Sequence, residues 1–104
     1  MLDIVAERAV DGTAVLRLSG ALDLETAHDL VAAVVSVAVE GPAEHVVIDL
    51  GGVDLVDSSG LAAFVRSYRL VTARSGTLTV RAPARHIRKM FSITGVDQVI
   101  PLEG

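Results

Sequence analysis

The chain has 104 residues, enough for one domain that buries a single core without staples. It has no cysteine, which excludes disulfides, thiolate metal sites and cysteine nucleophiles, and its 51% hydrophobic content excludes intrinsic disorder. The net charge of −4 is unevenly distributed: residues 1–57 carry eleven acids and two arginines, whereas residues 58–96 carry seven Lys/Arg and no acid. Aromatics make up only 3%, so the core must be aliphatic.

In chain order, Asp3 to Arg8 reads as a short strand. Asp11-Gly12 is a tight-turn dipeptide, and Thr13 to Ser19 alternates around Leu16 and Leu18, completing a β-hairpin that Gly20 should end. Asp23 is a helix N-cap. Ala27, Leu30, Val31, Val34, Val35 and Ala38 follow it at helical spacing up to the Gly41-Pro42 stop signal. His45 to Leu50 is a nearly unbroken β-branched run, the pattern of a parallel strand buried on both faces. Gly51-Gly52 should turn, ahead of Val53 to Val56.

A second helix is expected from about Ser59 to Arg74, with Leu61, Phe64, Val65, Tyr68, Val71 and Thr72 inward. Ser75-Gly76 turns into a strand from Thr77 to Val80. Pro83 suits the first position of a third helix, whose apolar face is Ile87, Met90, Phe91 and Thr94 and whose cap is Gly95. Arg85, His86, Arg88 and Lys89 cover its solvent side, and Val99-Ile100 either adds an edge strand or docks. The order β-β-α-β-α-β-α gives an α/β fold with a mixed, mostly parallel sheet of four to five strands covered by helices, in one domain spanning 1–104.

One segment concentrates polar chemistry. Asp57-Ser58-Ser59-Gly60 follows a strand and opens a helix, at the sheet edge where α/β folds place binding sites. Asp23 should reach the same edge. Asp and Ser before a helix are also ordinary caps, and capping alone accounts for them. The two readings are compatible, because a capping serine can also be modified.

The hairpin followed by Gly20-Ala21-Leu22-Asp23, the strand Val46 to Leu50 and the stretch Val53 to Leu61 resemble an STAS domain. Within that family the resemblance is to the anti-sigma factor antagonists of bacteria, and it covers essentially the whole chain. The resemblance implies a partner switch. The chain would bind an anti-sigma factor that is also a GHKL-type serine kinase, and so release a sigma factor. The kinase would phosphorylate Ser58, with Ser59 the second candidate, and a serine phosphatase would reset the switch. Asp23, Asp57, Ser58, Ser59, Gly60 and Leu61 would contact the partner. The family also holds non-switching interaction modules: stressosome scaffolds, sensor-associated domains and lipid-transport subunits.

Other classes find little support. His28, His45 and His86 lie on different elements with no metal spacing, so no metal is expected. His28 near Ser58 would make a Ser–His–Asp arrangement conceivable, but no nucleophile-elbow glycines surround Ser58, so no enzyme is expected and there are no catalytic residues. No Walker or dinucleotide motif is present, so no cofactor is expected. The basic run Arg81, Arg85, Arg88 and Lys89 reads as a solvated helix face, since an acidic chain with few aromatics argues against nucleic acid. No apolar run reaches the length of a membrane span, and the start Met-Leu-Asp-Ile lacks a basic flank, so the chain is expected to be cytoplasmic with no membrane partner.

Overall fold

A computed structural model describes residues 1–103. Two strands, β1 (Leu2–Arg8) and β2 (Thr13–Leu22), form the antiparallel hairpin. Asp11 caps its turn by accepting from Thr13 N at 3.1 Å, and the Thr13 side chain together with that backbone N–H holds the Asp11 carboxyl below its ordinary range. There follow α1 (Ala27–Val35), β3 (His45–Val56), α2 (Ser58–Ala73), β4 (Thr77–Arg81), α3 (Arg85–Thr94) and β5 (Leu102–Glu103). The sheet order is β1-β2-β3-β4-β5, and every pairing after the hairpin is parallel. The expected α/β class and element order hold, and the edge strand lies at Leu102–Glu103. Val99-Ile100 instead closes a 3₁₀ turn, with Ile100 buried in the core and Val99 exposed.

Several local expectations are corrected by pairing. β2 does not stop at Gly20, because Ala21 and Leu22 pair with Leu55 and Val56 while Ala21 N donates to Met1 O at 2.9 Å. Gly51-Gly52 is no turn: β3 runs through it. The register against β2 slips by one residue between Asp49 and Gly52 and again between Val53 and Leu55, which bends the strand without ending it. A Cβ on Gly52 would stand 2.7 Å from Ser19 Cβ, so glycine serves a close approach of two strands. Pro83 does not open α3. The helix starts two residues later, and Ala84 carbonyl accepts from Ile87 N and Arg88 N. The last turn of the first helix widens into a π-helical stretch, Ser36–Glu40, before Gly41.

β3 is not buried on both faces. Val46, Ile48 and Leu50 are buried, whereas Val47 and Asp49 between them are only half-buried. β2 and β4 repeat the alternation in register: Ala14, Leu16 and Leu18, then Leu78 and Val80, face the core. All helices contribute to that one core, where Phe64 of α2 meets Phe91 of α3 edge-on with ring centroids 5.4 Å apart. The opposite face carries Val15, Val47 and Thr79. Two ion pairs lie on it, Arg17 with Glu7 at 2.8 Å and Arg81 with Asp49 at 3.0 Å.

Asp49 feels opposing influences. Burial pushes its carboxyl up, but the hydrogen bond from Gly51 N and the Arg81 guanidinium outweigh burial and hold it below the ordinary range. A folded pKa below the unfolded value of about 3.9 means a stabilisation fully present above that value and lost as pH falls through the folded pKa. Acid unfolding of Asp49→Asn should therefore begin from a lower plateau and show a shallower loss below about pH 4 than the parent. Matched urea titrations at neutral and acidic pH measure this.

The inward stripe of α2 is rotated from its expected position. Gly60, Ala63, Phe64, Ser67 and Val71 are buried, Leu61, Val65 and Tyr68 flank them half-buried, and Thr72 is exposed. On α3 Thr94 is likewise exposed, bonding back to Met90 O at 2.7 Å. Small residues turn inward on α2 because the helix approaches the sheet closely. Ser67 Oγ is buried without a partner. An unsatisfied buried hydroxyl costs about 1–3 kcal/mol. Ser67→Ala is thus expected to stabilise the fold by about 1 kcal/mol, raising the melting temperature by roughly 4–8 °C in a domain of this size. A thermal melt checks the sign.

Candidate functional site

The carboxyl ends of β2 and β3 lie side by side, with Leu22 opposite Val56 and Asp57 N donating to Leu22 O at 3.1 Å. Each strand then delivers an acidic cap. Asp23 Oδ1 accepts from Glu25 N at 3.1 Å and Thr26 N at 3.2 Å, while Asp23 N donates to Thr26 Oγ1 at 2.9 Å. This reciprocal box caps a turn and not α1, whose N-cap is Thr26 where Asp23 was expected, because the Asp23 and Thr26 side chains bond to each other's backbone first. It closes a turn over Leu24–Thr26, so the α-helix proper begins at Ala27.

At the second end, Asp57 rather than a serine is the N-cap. Its backbone is extended and Oδ1 accepts from Gly60 N at 3.0 Å. Oδ2 accepts from Leu24 N at 3.3 Å, across 33 residues. One carboxylate thereby clamps the two loops together. Because Asp57 does the capping, Ser58 is the first helical residue, exposed, with a hydroxyl that caps nothing. Ser59 and Leu61 are half-buried and Gly60 is buried against Leu22. Asp23, Asp57 and Ser58 therefore meet at one edge, as expected, while Gly60 is packing rather than surface.

Two further features of this edge escaped the sequence reading. Leu24 is 73% exposed and Leu55 48% exposed. Leu24 lies in the turn before α1, outside the helical stripe that begins at Ala27. Leu55 follows the slip in β3 register, a long-range feature with no local signal. His86 was expected on a solvent face. It is exposed, and its Nε2 lies 2.7 Å from Asp54 O, a carbonyl that only accepts, so Nε2 carries the proton. That bond seats the start of α3 beside the edge. His45 is far away, its Nδ1 2.7 Å from Thr77 Oγ1 at the opposite end of the sheet. His28 is exposed on α1. Among the described residues no group of three His, Cys, Asp or Glu is placed to hold a metal ion, and no helix is long and apolar enough to cross a membrane. A cavity of about 220 Å³ opens beside Glu44, Arg74 and Gly76, at the end of the sheet away from Ser58.

The family model described as "Mlab, STAS domain" matches residues 5–102. The chain belongs to the STAS domain family. Among its relatives, the anti-sigma F factor antagonist of Paenibacillus polymyxa is 28% identical over 92 residues, covering 88% of this chain and 78% of that protein. The crystal structure of an anti-sigma factor antagonist from Mycobacterium paratuberculosis is 31% identical with a TM-score of 0.81, covering 99% of this chain and 86% of that one. The Bacillus cell-fate determinant SpoIIAA, solved in its phosphorylated form, shares the fold at 22% identity and a TM-score of 0.74 over 96% of this chain and 90% of that one. This STAS domain is thus similar to anti-sigma factor antagonists along nearly its whole length, and the Asp57–Leu61 segment lies within the matched span.

Proposed function

We propose that this STAS domain is a cytoplasmic anti-sigma factor antagonist, a binding protein rather than an enzyme. It engages a GHKL-type serine-kinase anti-sigma factor through the Asp23/Ser58 edge and so releases a sigma factor. Phosphorylation of Ser58 switches it off and a serine phosphatase restores it. The observation that carries this reading is the division of labour at the start of α2. Asp57 makes the cap, so the Ser58 hydroxyl is exposed and free of structural duty. A residue that is a kinase substrate needs such freedom and needs no activating base. The antagonist names of its relatives and the existence of a phosphorylated form of SpoIIAA support the reading.

The fold tolerates the modification. A phosphoserine adds roughly −1.5 to −2 charge. At the first position of a helix the dipole favours that charge by about 0.3–1 kcal/mol, while the neighbouring Asp57 and Asp23 oppose it. The two effects nearly offset, so the change is felt at the interface. The test is to incubate the protein with the anti-sigma kinase of the same cell and ATP, then map phosphate by mass spectrometry. One phosphate on Ser58 that releases the kinase is expected. Tight binding with no phosphate on Ser58 or Ser59 would leave a constitutive interaction module instead.

A further inference from the structure

We propose that the cavity at the end of the sheet away from Ser58 binds a small zwitterion, an aliphatic amino acid. Its walls come from two helix ends. Ala38 belongs to the π-helical stretch that closes the first helix, Val71 lies in the last turn of α2, and Arg74 is the C-cap of α2. Ala43, Glu44 and Ser75 line the same space. The backbone of this rim is already bonded. Ala43 N donates to Val37 O at 2.9 Å, Ser75 N to Thr72 O at 3.0 Å and Thr77 N to Glu44 O at 2.9 Å. A ligand therefore meets a formed site and orders little on entry. Two backbone irregularities border the cavity. A π-helical turn is rare and is found frequently at functional positions. Ser75 holds φ 64°, a left-handed conformation ordinarily left to Gly or Asn.

Size and charge select the ligand. The volume of about 220 Å³ exceeds the ~150 Å³ of an apolar cavity that holds benzene. On that scale about nine non-hydrogen atoms fit, the size of leucine. Ala38, Ala43 and Val71 are buried and give the cavity an aliphatic floor. Glu44 and Arg74 supply one charge of each sign. They do not pair with each other, since the ion pairs among the described residues are Arg17–Glu7 and Arg81–Asp49. Helix carboxyl ends carry partial negative charge, so an ammonium is favoured at this end of the fold, with Glu44 to meet it. Those same ends repel a carboxylate unless it meets a cation. Arg74 is the cation on this wall, and a guanidinium can bond both carboxylate oxygens. A ligand with one charge would leave either Glu44 or Arg74 without a partner.

Titration of L-leucine into the isotope-labelled protein, followed by amide chemical shifts, tests this. Isoamylamine and isovalerate serve as probes that each lack one charge. Leucine should shift the amides of Ala38, Glu44 and Gly76 saturably and leave those of Ser58 and Gly60 in place. Removing either charge from the probe should weaken binding about tenfold or more. Arg74→Ala should erase the advantage of leucine over isoamylamine, and Glu44→Gln its advantage over isovalerate. Both side chains are exposed, so both variants should melt as the parent does. No saturable shift with leucine, valine or alanine would overturn the inference. Isoamylamine or isovalerate binding as tightly as leucine to the parent would overturn it too. Neither result touches the reading of Ser58.

Discussion

Ser58→Asp is expected to weaken binding of the anti-sigma kinase by about a hundredfold or more, which corresponds to roughly 2.8 kcal/mol, whereas Ser58→Ala should bind as well as the parent. The asymmetry follows from what Ser58 does not do. Asp57 supplies the cap hydrogen bond to Gly60 N, so removing the Ser58 hydroxyl leaves the start of α2 intact. Adding a carboxylate places a further negative charge directly after Asp57, at the strand-end edge proposed to meet the partner, where a covering partner must strip its water. Leaving a charge buried and unpaired costs several kcal/mol. Both variants should melt close to the parent, so a binding difference cannot be traced to folding. Ser58→Ala should also take up no phosphate, and Ser59→Ala should still take up one. If Ser58→Asp binds like the parent, the exposed serine is not the switch.

Gly60→Ala is expected to cost about 1–3 kcal/mol of stability and to weaken kinase binding with it. Helix propensity alone predicts the reverse, a gain of up to about 1 kcal/mol on replacing glycine inside a helix. Tertiary contact overrides propensity here. A Cβ on Gly60 would stand 2.7 Å from Leu22 O and 3.0 Å from both Leu22 Cγ and Val56 Cγ1. Leu22 O cannot swing aside, because it accepts the Asp57 N–H that joins the two strand ends. The helix start must move instead, and Ser58 moves with it. Urea unfolding and a kinase titration on the same sample measure both effects. A Gly60→Ala protein as stable as the parent would show that the close approach is dispensable.

Much of this was legible beforehand for a local reason. Periodicity and turn signals are properties of four to eight neighbouring residues, so the hairpin at Asp11-Gly12, the helix ending before Gly41 and the helix after Asp57 could be read directly. The errors fall where distant residues decide. Gly51-Gly52 looks like a turn until β2 pairs across it. The run from Val46 to Leu50 looks buried on both faces because β-branched residues suit a strand whether or not a second layer covers it. Only packing shows that Val47 faces away from the core.

The candidate site divides in the same way. Sequence alone determined that an Asp-Ser-Ser-Gly segment opens a helix after a strand, that Asp23 caps at a matching strand end, and that charge changes sign at Ser58. It could not choose which residue caps α2, since Asp57 and Ser58 are both good caps. The tertiary structure chose Asp57, because only its second oxygen also meets Leu24 N, 33 residues away. It also turned the charge pattern into geography. The sheet order follows the chain order, so β1 to β3 stand on one side and β4 with Arg81 on the other, while α2 with Arg66 and Arg69 packs against α1. Asp57, the residue before Ser58, is joined to Leu22 O and to Leu24 N, so hydrogen bonds between the two strand ends bring the Asp23 and Ser58 segments together.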